Sequence, residues 1–99
     1  MDSYPLAKYF KESADVFKAY GKEKKINMSN EDLLNVYSLY KQGESGDINI
    51  PEPSFYQLEA KAKWKAWNAK KGLAQEAAQQ EYVTLVCSYL PDDLKAKFV

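Results

Sequence analysis

Apolar residues recur at helical spacing along nearly the whole chain. Leu6, Phe10, Ala14 and Phe17 stand at i, i+4, i+8 and i+11, a stripe down one side of a helix. This predicts a first helix from about Pro5 to Tyr20, with the proline at a tolerated first-turn position. Gly21 and the charged run Lys22-Glu23-Lys24-Lys25 predict its end and a solvated loop. A second helix is expected from Ser29, where Ser29 and Asp32 fit a capping box, through Leu33, Val36, Tyr37 and Tyr40 to a stop at Gly43. The third opens at Ser54, with Gln57 in the reciprocal cap position, and runs to about Lys71 before Gly72. The fourth follows at once, with Ala77, Ala78, Tyr82, Leu85, Val86 and Tyr89 as its apolar stripe and Pro91 as its stop. Residues 92–99 read either as one more helical turn or as a frayed end. No β-hairpin and no internal repeat interrupts this pattern, so the expected fold class is all-α, a four-helix bundle.

The connections constrain how the helices are arranged. Gly72 to Ala74 is a short turn, which makes helices three and four antiparallel neighbours. Glu44 to Pro53 is the longest irregular stretch, carrying Gly46, Asp47, Asn49, Pro51 and Pro53. Ten extended residues reach roughly 33 Å, whereas a fifteen-residue helix is only about 22 Å long. The stretch is therefore long enough to cross the bundle and leave helices two and three parallel. Spacing permits that arrangement without selecting it.

Composition narrows the function classes. Ninety-nine residues suit a single domain, 1–99, with one core and no disulfide or metal staple. The 14 basic residues are all lysine and are cancelled by 14 acidic ones, which argues against holding nucleic acid by bulk charge. Without arginine, bidentate reading of guanine is closed to the chain, although lysine still binds phosphate as a point charge. The absence of histidine excludes zinc ligation and histidine general-base chemistry. One cysteine, Cys87, forms no internal disulfide, and a reducing, cytoplasmic setting is the simplest expectation. The start, Met1-Asp2-Ser3-Tyr4-Pro5, has no basic n-region or apolar run, and no stretch approaches the ~18 apolar residues of a membrane span.

The candidate chemistry is aromatic and cationic. Tyr37, Tyr40 and Lys41 fall close together on the second helix at roughly 100° per residue. The third helix supplies Lys61, Lys63 and Lys65 with Trp64 and Trp67. Flat rings beside fixed positive charge suit a phosphorylated nucleotide, the rings for the base and the ammoniums for the phosphates. Tyrosines at this spacing equally serve as half-buried packing residues, but a lysine beside them is a poor neighbour for a closed core. Trp64 and Trp67 read as core and wall, Lys61 and Lys65 as solvated surface, and Cys87 as a buried small residue.

The order Tyr37-Ser38-Leu39-Tyr40-Lys41-Gln42, then Gly46-Asp47-Ile48-Asn49, then Lys61-Ala62-Lys63-Trp64-Lys65-Ala66-Trp67 resembles the acyl-coenzyme A-binding protein family. That family's pattern is Y-x-x-Y-K-Q, G-D-x-N, a proline, and K-x-K-W-x-A-W. The resemblance covers most of the chain and is strongest from Leu33 to Trp67. It implies an up-down-down-up four-helix bundle with the long crossover between helices two and three. It also implies that Tyr37 and Tyr40 lie near adenine and ribose, and that Lys41 reaches the 3′-phosphate with Lys63 as a second phosphate ligand. Lys18 and Tyr82 match further ligand contacts, Tyr82 having a core phenol as its alternative. Phe10 and Ala14 match positions near the acyl chain and could equally be ordinary core.

The chain also departs from the family pattern. Glu59 stands where a lysine is frequent, and a carboxylate there would repel the phosphates. Gly43 and Glu44 replace a small and a hydroxyl residue, and the loop around Gly21–Lys25 is longer, which leaves acyl-length preference open. The fourth helix begins at Leu73-Ala74 without a Ser, Thr or Asp cap, a loss of about 1 kcal/mol.

The function expected from the resemblance is a non-enzymatic carrier and pool former for long-chain acyl-coenzyme A. It has no cofactor and no metal, and is a monomer meeting acyl-CoA-using enzymes or membrane surfaces in passing. The alternative is a helical interaction module that takes an amphipathic partner helix in its Tyr/Trp groove. Without histidine, an activated cysteine or a carboxylate pair, an enzyme has no evident apparatus.

Overall fold

The computed structural model describes residues 5–23 and 26–98. Lys24 and Lys25 of the charged loop lie outside the described residues. Helix α1 spans Leu6–Glu23, α2 Asn30–Ser45, α3 Leu58–Asn68 and α4 Gln75–Cys87. A short α5, Asp92–Lys95, runs into a closing 3-10 turn, Ala96–Phe98. The class is all-α, as expected.

Directions follow from which residues meet. Lys63 lies over the Tyr37 ring and Lys41 over the Trp67 ring, so one turn along α2 matches one turn along α3 and the two helices run parallel. On α4 the order reverses. Gln75 and Gln79 meet the end of α2 at Gly43, whereas Tyr89 reaches Asp32 near its start. Phe10 packs on Tyr40, while Lys18 and Gly21 stand near Val36 and Tyr37, so α1 is antiparallel to α2. The topology is up-down-down-up, with α2 against both α3 and α4, and α1 against α4.

The crossover that permits the parallel pair is clipped to α3 by both indoles. Trp67 donates to the Gly46 carbonyl at 3.0 Å and Trp64 to the Ile50 carbonyl at 2.9 Å. Lys61 adds an ion pair to Glu52 at 3.1 Å. This corrects its expected solvated role: a side chain facing the crossover meets a carboxylate there.

Helix ends account for most differences from expectation. Helix α1 continues through Gly21, because a helical glycine costs only about 1 kcal/mol and lysine and glutamate around it favour helix. Helix α2 does not stop at Gly43 but at the second glycine. Gly46 adopts φ 82°, the conformation a side chain resists, and donates to the Gln42 carbonyl. Helix α3 starts later than Ser54. Gln57 does reach back to the Ser54 N–H (3.1 Å), but Ser54–Gln57 closes a separate turn and the helix begins at Leu58. It also ends at Asn68, with turns filling the space to Gly72. Ser29 caps α2 by accepting from the Asp32 N–H, whereas the Asp32 carboxylate accepts instead from the Tyr89 hydroxyl at 2.7 Å. Ala74 leaves α4 without a side-chain cap, as expected.

The core holds Phe10, Val36, Leu39, Ala78, Tyr82, Val83, Val86, Cys87 and Phe98, each gaining up to about 3 kcal/mol from leaving water. Phe98 is 2% exposed and meets Tyr9 edge-on at 5.5 Å, so the tail is folded onto α1. Buried Gln42 ties three segments, donating to Asp47 at 2.9 Å and to the Leu73 carbonyl at 2.8 Å.

Candidate functional site

Helices α1, α2 and α4 leave a cleft of about 370 Å³ lined by Ala14, Asp15, Phe17, Lys18, Gly21, Val36, Tyr37, Tyr40 and Tyr82. Successive turns of α1 present Ala14, Lys18 and Gly21 to it, the same period that builds the core stripe. Tyr40 and Tyr82, 5.7 Å apart, make its floor, and both rest on Phe10, which stacks on Tyr40 at 5.5 Å and meets Tyr82 edge-on at 5.2 Å. Phe10 is buried beneath this floor. The Tyr40 hydroxyl donates to Glu44 at 3.1 Å. Burial, then the Glu44 carboxylate, pushes the Tyr40 phenol up, and burial does the same more strongly for Tyr82.

On the other side of Tyr37 lies a second hollow, about 360 Å³, lined by Tyr37, Ile50, Pro53, Glu59, Ala60, Lys63 and Trp64. Tyr37 is the wall the two hollows share. Two lysines at the α2–α3 contact each rest between one ring and one carboxylate. Lys63 lies 5.5 Å from the Tyr37 centroid and 3.2 Å from Glu59, while Lys41 lies 5.1 Å from the Trp67 centroid and 3.5 Å from Glu44.

The expected single face of Tyr37, Tyr40 and Lys41 is thereby divided. Consecutive residues are about 100° apart, so Tyr40 turns to α1 and α4 while Lys41 turns to α3. The structure brings Ala14, Lys18, Tyr37, Tyr40 and Tyr82 to one cleft, Phe10 to the core beneath it, Lys63 to the second hollow across Tyr37, and Lys41 to the α3 seam outside both hollows.

A family model described as "Acyl CoA binding protein" matches residues 7–86. The chain belongs to the acyl-CoA-binding protein family. It is 50% identical over 76 residues to the acyl-CoA-binding protein of Dictyostelium discoideum, covering 77% of this chain and 86% of that one. The crystal structure of Oryza sativa acyl-CoA-binding protein 2 superposes with a TM-score of 0.75 at 34% identity, over 85% of this chain and 87% of that one. Human enoyl-CoA delta isomerase 2 is 49% identical over 67 residues, 68% of this chain but 17% of that protein.

Within this member of the family, Asp15, Phe17, Gly21 and Val36 line the cleft although the sequence did not mark them as site residues. Phe17 had a signal as a member of the first-helix stripe, whereas Asp15 stands one residue off that stripe and had none. Glu44 had none, because its contact depends on where Tyr40 and Lys41 turn. Among the described residues no group of three or more Cys, Asp or Glu is placed to hold a metal ion, and no helix is long and apolar enough to cross a membrane.

Proposed function

We propose that this chain, as one domain over residues 1–99, binds long-chain acyl-coenzyme A esters as a monomeric carrier in the cytoplasm and catalyses no reaction on them. The observation that carries the reading is Tyr37 as the common wall of an apolar, ring-floored cleft and a lysine-bearing hollow. One side suits a greasy or flat group and the other a phosphate, and an acyl-CoA ester has both. In this reading Tyr37, Tyr40 and Tyr82 pack on the nucleotide, with Lys18 as a further contact from the lining of the same cleft. Lys41 and Lys63 take the 3′-phosphate, and Phe10 and Ala14 support the acyl side.

The energetics divide the work. Each buried methylene contributes roughly 0.8 kcal/mol, much of which is offset by ordering the ligand. Charge-assisted bonds from the two lysines add roughly 1.5–3 kcal/mol each when sheltered, and less at their observed exposure. Neither the free acid nor bare coenzyme A engages both halves. Burial raises the Tyr40 and Tyr82 phenols further above an ordinary value already far from neutrality, which suits packing better than proton transfer. Acyl-CoA-using enzymes or a membrane surface would receive the ester in passing.

The test is a calorimetric series of coenzyme A, palmitate, and acyl-CoA esters from short to long. Saturable binding that tightens with chain length and is weak for either half alone is the expected result. Indifference to every ligand, with binding of an amphipathic helical peptide instead, would replace the carrier by the interaction module.

A further inference from the structure

Resting on the ester reading of the same site, we infer that Glu44 and Glu59 are tethered competitors of the ligand phosphate, occupying Lys41 and Lys63 until it arrives and so setting how strongly the site depends on that phosphate. Each carboxylate sits one helical turn from its lysine on the same helix, Glu44 at i+3 and Glu59 at i−4. Both pairs are intramolecular, so the competing anion is always present at high local concentration. Glu44 has a second hold, because its other oxygen accepts from the Tyr40 hydroxyl at the cleft floor. Glu59 lines the same hollow as Lys63 and Tyr37, so a phosphate entering there meets its charge directly. A ligand must therefore exchange carboxylate for phosphate at both lysines. Any carboxylate that remains nearby repels the incoming dianion.

Both glutamates are solvent-accessible, with side-chain exposures of 45% and 85%, so glutamine at either site keeps size and leaves the core untouched. The experiment compares palmitoyl-CoA with its 3′-dephospho analogue on the parent chain, E44Q, E59Q and the double variant. The expected result is that the double variant binds palmitoyl-CoA about three- to ten-fold tighter, the range two exposed pairs allow, with a smaller gain for the dephospho ester. Each single variant reads the same ratio and stands in if the other fails to fold. Equal tightening of both esters, no change, or weaker binding overturns the inference while leaving the carrier intact. Failure of the parent chain to bind either ester removes the carrier reading and the inference together.

Discussion

The Phe10 ring lies so close to Gly43 that a Cβ on that glycine would stand 2.9 Å from Phe10 Cζ. Gln79 crowds the same point, its Cγ at 3.0 Å, while its amide donates to the Gly43 carbonyl. The absent side chain lets α1 and α4 close over the last turn of α2. Gly43→Ala should therefore destabilise the fold by about 1–3 kcal/mol through overpacking, despite alanine's better helix propensity. Urea unfolding measures this, and a gain in stability would mean that Phe10 and Gln79 simply move aside.

Phe98 gives a second prediction. Cutting it to alanine should cost about 3–5 kcal/mol, as for a buried ring elsewhere in a core. A melting temperature unchanged by Phe98→Ala would show the tail to be undocked in solution.

The pH dependence has two limbs. Tyr40, Tyr82 and Tyr89 hold their protons more tightly folded than the ordinary 10.0, by burial for the first two and by the Asp32 hydrogen bond for Tyr89. Their contribution is whole below pH 10.0 and is lost as pH rises through the native values, because the unfolded chain then releases protons first. Asp47 is held below its ordinary 3.8 by the Gly72 N–H and the Gln42 amide. Its contribution is whole above 3.8 and fades as pH falls through the native value. Asp47→Asn should flatten the acid limb and leave the alkaline one. Denaturant midpoints across pH read both, and an unaltered acid slope would rule out Asp47 as its source.

Charge reversal tests the lysines separately. Lys41→Glu or Lys63→Glu should weaken palmitoyl-CoA binding by about tenfold or more while circular dichroism stays unchanged. Unaltered calorimetric affinity would detach these residues from the phosphate.

The helices and their order were legible because apolar spacing and a long crossover are local facts of the chain. The family pattern then selected the parallel pairing that spacing only allowed. What could not be read depends on who meets whom. Gly43 and Gly46 look alike as helix stops, and only the Phe10 contact distinguishes the close approach from the positive-φ cap. Phe98 sits in a lysine-rich tail with no periodicity to betray its burial. The cleft residues followed from the stripes, yet the division of Tyr40 from Lys41 required knowing which helix lies on each side of α2.

Parallel travel of α2 and α3 also sets their amino ends side by side, with Leu33 and Leu34 bordering the same groove as Leu58 and Glu59. Two partial positive poles then face water together. Glu31 and Asp32 answer the first, and Glu59 is the acidic residue in the opening turn of the second. Neutralising Glu59 removes a counterweight worth about 0.3–1 kcal/mol at such a position. If Glu59 competes with the ligand phosphate as inferred above, a firmer hold on cargo and a firmer start to α3 pull on one carboxylate in opposite directions, and glutamate there favours the scaffold over the grip.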